Sequence, residues 1–180
     1  MNTSSSPLAA DGRLVTAVFP DRDSAEAAYA SASERGYTHE DIDLVMSEDT
    51  RNHHFGSETV TTELGHKAAE GAGIGAGIGG AVGAIGAAIA AVGTSLALPG
   101  LGLVIAGPLA AAAAGAGVGA ASGGLIGALV GWRMPEERVK EYEGALRDGG
   151  ILMGVRAKSD DDAGYFHRHW SDNQGRHVYR

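Results

Sequence analysis

The chain contains no cysteine. Disulfides, thiolate metal sites and a cysteine nucleophile are therefore excluded, which suits a reducing interior. No nucleophile elbow, HExxH pair or P-loop occurs either, so no catalytic residue can be named and a non-enzyme is expected. The net charge is −8 and no basic stripe is visible, which argues against nucleic acid as a partner. Met1 to Arg13 lack the basic and apolar regions of a secretion signal; residues 1–12 read as a disordered leader on a chain not exported by that route. The most informative absence lies in the middle, where Gly71 to Trp132 carry no charged side chain. A helix at a protein surface needs a polar face, and none can be drawn in this stretch.

What the stretch does contain is glycine at every fourth position: Gly71, Gly75, Gly79 and Gly83, then Gly115, Gly119, Gly123, Gly127 and Gly131. Four residues is close to one helical turn, so each row forms a shallow groove for close packing of another helix. Ile74, Ile78, Val82, Ile85, Ile89, Val92 and Leu96 step by three or four along the first arm and form its branched stripe. Interior glycine costs about 1 kcal/mol against alanine, so an isolated helix of this composition is unstable in water. The expected element is a helical hairpin over residues 68–132, with arms Gly71 to Leu98 and Pro108 to Trp132 joined at Leu98 to Gly102. Each arm would be about 37–42 Å long, enough to cross a hydrocarbon core of about 30 Å. Lys67, Trp132 and Arg133 are the expected membrane-interface residues.

Two arrangements enclose such a hairpin. One is insertion into the cytoplasmic membrane with the charged remainder facing the cytoplasm, as the positive-inside rule favours. The other is a soluble cytoplasmic assembly in which hairpins from several copies bury one another. Both make a second copy of the chain a partner, and the first adds a lipid bilayer; a further alternative is a small-ligand- or metal-binding α/β module.

The flanking segments read as halves of one α+β domain, residues 13–67 and 133–180. Arg13 to Phe19 forms a strand ended by Pro20, and Asp21 or Asp23 caps a helix that stops at Gly36. Asp41 to Met46 is the second strand, and Ser47 to Lys67 a polar connector. After the block, Pro135 at the first helical position and Glu136-Glu137 open a helix with Val139, Tyr142 and Leu146 on its buried stripe. Gly149-Gly150 ends it, Ile151 to Ala157 is a strand, and Ser159 or Asp160 caps a last helix to about Trp170. His177 to Tyr179 allow a short edge strand. The sum is a small two-layer α/β sandwich of ferredoxin-like type, βαβ-insert-αβα(β).

Val18-Phe19-Pro20-Asp21-Arg22-Asp23-Ser24-Ala25-Glu26-Ala27-Ala28, with Gly36-Tyr37 and Asp41-Ile42-Asp43-Leu44-Val45-Met46, resembles the front of the bacterial general stress protein 17M-like domain. Met134-Pro135-Glu136-Glu137-Arg138, Tyr142-Glu143-Gly144-Ala145-Leu146 and Gly149-Gly150-Ile151-Leu152 resemble its back half after a glycine-zipper insertion. The resemblance covers most of Arg13 to Ala157. It implies a stress-associated bacterial protein, and brings no catalytic residue or cofactor with it.

Other signals have plain readings. Gly75 to Gly80 matches the dinucleotide fingerprint, but neither a preceding strand nor an acidic residue about 20 positions on accompanies it. His53, His54, His66, His167 and His169 are able as a type to bind a transition metal, yet read as solvated side chains. Asp160-Asp161-Asp162 lacks calcium-loop spacing and reads as a helix cap.

Overall fold

A computed structural model describes residues 13–55, 85–86, 96–98, 102–108, 110 and 134–180. Its elements are β1 (Leu14–Phe19), α1 (Arg22–Glu34), β2 (Ile42–Ser47), α2 (Glu48–Phe55), β3 (Leu96–Leu98), β4 (Leu103–Ala106), α3 (Glu136–Arg147), β5 (Ile151–Arg156), α4 (Asp160–Asp172) and β6 (Arg176–Tyr179). The strands form one antiparallel sheet in the order β3-β4-β2-β5-β1-β6. Because β1 and β2 both run against β5, they are parallel to each other, and α1 is the crossover between them. In the same way β5 and β6 flank β1, with α4 as their crossover. Each βαβ unit is thus split by a strand of the other, and the halves before and after the central block interleave into one sheet.

Local chemistry sets the helix boundaries. Asp21 caps α1 by accepting from the Ser24 amide at 2.8 Å, and Ser159 caps α4 from the Asp162 amide at 3.1 Å. Glu136 is the first helical residue of α3, so Pro135 sits at the N-cap position, one residue outside its expected place. At the far end of α1, Gly36 takes φ +80° while the amides of Gly36 and Tyr37 return to the Ser33 and Ala32 carbonyls. That is the Schellman pattern, which ties off orphan carbonyls through a left-handed residue. The Gly149-Gly150 stop of α3 repeats it.

Both faces of the sheet are buried, which is why its strands read as apolar runs rather than alternating ones. On one face Val15, Ala17, Phe19, Ile42, Leu44, Met46, Ile151, Met153 and Val155 pack with α1 and α4, whose Phe166 and Trp170 fill the centre. On the other, Val18, Val45 and Leu152 meet Val139, Tyr142 and Leu146 of α3. The sandwich character therefore stands, but helices cover both sides of the sheet where a single helical layer was expected.

Two further corrections concern chain thought to be helical or irregular. Leu96 to Leu98, placed at the end of the first arm, is strand β3, and Leu103 to Ala106 is strand β4. Residues 99–102 therefore join two strands: Leu98 pairs with Leu103, and β4 then pairs with β2. Leucine, valine and isoleucine gather here, in contrast to the glycine and alanine on either side, and the edge of β2 supplies a ladder that helix formation would leave unpaired. In the polar connector, Ser47 caps α2 by accepting from the Thr50 amide at 3.0 Å, while the Glu48 amide donates to the Gly102 carbonyl.

Candidate functional site

Described residues of the central block meet the α/β domain along a seam. Ile85 is fully buried in the cluster that also holds Met46, Val104 and Ala106. Its amide donates to Glu26 Oε2 of α1 at 3.1 Å. Glu26 also lies near Arg22, with Arg22 Nε 3.8 Å from Glu26 Oε1. Arg22 in turn donates to the His54 carbonyl at 2.9 Å and places its guanidinium 5.3 Å from the Phe55 ring centroid. One turn along α1, Tyr29 is buried, and burial with the nearby Glu26 charge pushes its phenol up to about 12. A residue of the first arm is thus docked against α1 by both an apolar contact and a hydrogen bond to a carboxylate.

Gly107 and Ala110, just after β4, meet the opposite face of the sheet. Gly107 follows β4 at φ +105°, where an added Cβ would strike the Ile42 carbonyl oxygen and lie 2.8 Å from Asp43 Oδ1. Only glycine both reaches this φ and leaves room for the backbone of β2. Asp43 is a buried carboxylate within that strand, its Oδ2 4.0 Å from Arg156 Nη1. Three residues on from Gly107, Ala110 packs with Val45, Ile105 and α3 on the second face. Ile85 and Ala110 therefore pack on opposite faces of the sheet.

A second polar cluster fastens the C-terminal end of α1 to the start of α4. Tyr37 Oη accepts from the Lys158 amide at 2.7 Å and donates to Asp162 Oδ2 at 2.8 Å. Arg35 binds the other Asp162 oxygen through Nε at 2.9 Å and Nη2 at 2.7 Å. Arg35, then Tyr37, hold the Asp162 carboxyl below its ordinary value. Burial would raise Asp41, but the Thr38 amide and Lys158 outweigh it and lower the group. Tyr37 itself is raised, by burial first. With donor and acceptor capacity both engaged, this phenol fixes a junction and is not poised as a base.

The residues singled out in the sequence fall in two groups. Gly71, Gly75, Gly79, Gly83, Gly115, Gly119, Gly123, Gly127 and Gly131, together with Lys67, Trp132, Arg133, His66, the 1–12 leader and the Gly75 to Gly80 fingerprint, lie outside the described residues. Of the other histidines, His53 and His54 stack edge to face at 4.8 Å on α2, while His169 stacks on Tyr165 and contacts Asn173 at 2.9 Å. Among the described residues no group of three or more histidine, aspartate or glutamate side chains gathers as a metal site, and no helix is long and apolar enough to cross a membrane. The Asp160 to Asp162 run forms the first turn of α4.

Glu26 and Asp43 were missed. Asp43 had a visible signal, a lone carboxylate flanked by Ile42 and Leu44 in an apolar strand. Glu26 had only its place beside Tyr29 on an alanine-rich helix. No family model, curated protein or solved structure matches the chain.

Proposed function

We propose that this is a non-enzymatic assembly protein whose glycine-zipper block joins copies of the chain and associates with the cytoplasmic membrane, its α/β domain facing the cytoplasm. The observation that carries the reading is the charge-free stretch from Gly71 to Trp132 with glycine at every fourth position. Close helix packing in lipid uses such small-residue rows. The strand order β2-β5-β1-β6 supports a ferredoxin-like core, into which block 68–132 is inserted with β3 and β4 as its contribution to the sheet. A stress association follows from the resemblance to the general stress protein 17M-like domain. Neither a nucleic acid nor a cofactor belongs to this reading.

One observation favours the soluble assembly as a second reading: Ile85, in the middle of the first arm, is buried in the core of the α/β domain. An arm held there is not spanning a bilayer, so membrane association requires another state of the same chain.

The test is the mass of the full chain by light scattering, in buffer and in mild detergent, beside a variant with Gly119, Gly123 and Gly127 replaced by leucine. Leucine adds apolar surface but blocks close approach, so the variant should lose the oligomer. An unchanged mass would overturn the zipper. Retention of the full chain in carbonate-washed membranes separates the lipid-associated form from the soluble one.

A further inference from the structure

We propose that β6 is an exchangeable strand: two copies of the chain swap it across a hinge at residues 173–175, so that each completes the other's sheet along β1. The inference stands apart from the zipper, since it assigns a different surface to the same kind of partner.

The hinge is marked by where glycine is missing. Helices α1, α3 and α4 all end in the Schellman pattern, with the Tyr37, Gly150 and Gly175 amides returning to the Ala32, Ala145 and Trp170 carbonyls. At the left-handed position of that pattern α1 has Gly36 and α3 has Gly149, whereas α4 has Gln174 at φ +64°. A side chain crowds the backbone there, which is why glycine usually holds the place. Gly175 comes one residue late, where an added Cβ would strike the Trp170 carbonyl oxygen. Among the described residues the other non-glycine residue of positive φ is His177, at +50°. Both fall in the short segment that turns β6 back onto its own domain.

The contacts that hold β6 are transferable. It meets β1 at Thr16–Tyr179 and Val18–Arg176, with the register broken between them. From α3, Glu141 Oε2 accepts from Tyr179 Oη at 2.6 Å and lies 3.3 Å from His177 Nδ1, while the Arg138 guanidinium sits 4.0 Å from the Tyr179 ring centroid. Tyr142 Oη donates to the His177 carbonyl at 3.4 Å. Val178 packs on the cluster of the opposite face, and Arg180 lies 3.7 Å from Asp160. None of these contacts requires β6 to belong to the same copy. A second copy offers the identical set, and exchange opens the turn that forces Gln174 into the left-handed region. A short strained hinge leading to an edge strand is the setting in which strands swap, and a two-fold pair closes on itself.

The experiment uses full chains with single thiols. The natural chain has no cysteine, so Glu141→Cys and His177→Cys put thiols at two positions whose side chains meet in the structure. The two variants are refolded together from urea at high concentration, oxidised, and their links mapped by mass spectrometry. Exchange predicts 141–177 links between chains well in excess of the 141–141 and 177–177 links that collision produces equally. Adding Gln174→Gly, which relaxes the folded-back turn, should lower the yield of that link roughly tenfold, two hinges contributing per pair. Gln174→Pro cannot take a positive φ and should raise it. Trp170 fluorescence reports that each form is folded. Replacing Gly119, Gly123 and Gly127 with leucine should leave the yield as it was.

Links in the proportions of collision, or a 141–177 yield indifferent to both Gln174 changes, would overturn the exchange and leave the zipper standing. Loss of the link in the leucine variant would also overturn it, because the strands then meet only where the zipper crowds them. A link that survives in that variant supports the exchange even if the zipper fails.

Discussion

Thr16 on β1 and Tyr142 on α3 share a hydrogen bond of 2.7 Å although 126 positions separate them. Both are buried, and the central block lies between them in the chain. The bond joins the half of the domain before the block to the half after it. Burial raises the Tyr142 phenol, a shift that the Thr16 hydroxyl partly opposes. Tyr142→Phe strands the buried Thr16 hydroxyl, and Thr16→Val leaves the Tyr142 hydroxyl only its 3.4 Å contact to the His177 carbonyl, so each should cost about 1–2 kcal/mol. The double variant should cost less than the sum, because it leaves neither group unpaired. Urea unfolding of the four proteins measures the coupling, and strict additivity would contradict the shared bond.

The network around Asp162 has a pH signature. Arg35 and Tyr37 hold its folded-state value below the ordinary 3.8. Stability from this group is therefore complete above the unfolded value and is lost as pH falls through the folded one. The Arg35 side chain is 38 % exposed, so screening reduces the contribution to about 1 kcal/mol at neutral pH. Asp162→Asn should lose that amount at pH 7 and become indistinguishable from wild type once both aspartate states are protonated, well below pH 3.8. Thermal melts across the acid range decide this; a difference that persists at the lowest pH points to packing instead.

Much of the α/β domain was legible because its boundary signals are local. Asp21, Gly36, Ser159 and Gly149-Gly150 each act within a turn of their own position, and the structure uses every one. What was not legible depended on partners distant in sequence. Leu96 to Leu98 continue the branched spacing of the first arm, and they became a strand only because β4 lay alongside, itself paired to β2. The helical stripe of α3 was correct, but nothing in Val139, Tyr142 and Leu146 says which face of the sheet they meet. Nor could glycine spacing reveal that Ile85 would enter the core, since its spacing matches that of Ile78, Val82 and Ile89.

Tyr29 extends the same reasoning to alkali. Burial, with Glu26 adding to it, lifts its phenol from 10 to about 12. A raised folded value means that the native state holds this proton more tightly. Its contribution is full below about pH 10 and is lost as pH rises towards 12. Tyrosinate absorbance should therefore show a late class that ionises with unfolding, and Tyr29→Phe should delete one member of it. Normal titration of every tyrosine near pH 10 would show that the Tyr29 site is wet.

Ile85 tests whether block and domain fold as one. Its side chain is fully buried with β2 and β4 residues, so Ile85→Ala should destabilise the whole domain by about 2–4 kcal/mol through lost burial and a residual cavity. Trp170, at the centre of the same cluster, reports that loss by fluorescence. If the block were an independent hairpin, Ile85→Ala would leave the Trp170 transition where it is.

Gly36 and Gly107 separate two reasons for needing glycine. Both have positive φ, +80° and +105°, so alanine at either position carries a backbone penalty of about 1–2 kcal/mol. At Gly36 an added Cβ meets nothing within 4 Å, and the penalty should end there. At Gly107 the methyl would run into the Ile42 carbonyl and approach Asp43 Cα at 2.9 Å. Backbone atoms cannot rotate away as a side chain can, so β4 must shift against β2 or the exit of the second arm must move. Gly107→Ala should therefore cost about 3 kcal/mol or more, adding overpacking to the φ penalty. Amide exchange should locate the extra damage in the β2–β4 ladder, which Gly36→Ala leaves protected. Equal losses from the two substitutions would mean that the second arm does not leave the sheet through the close passage beside Ile42 and Asp43.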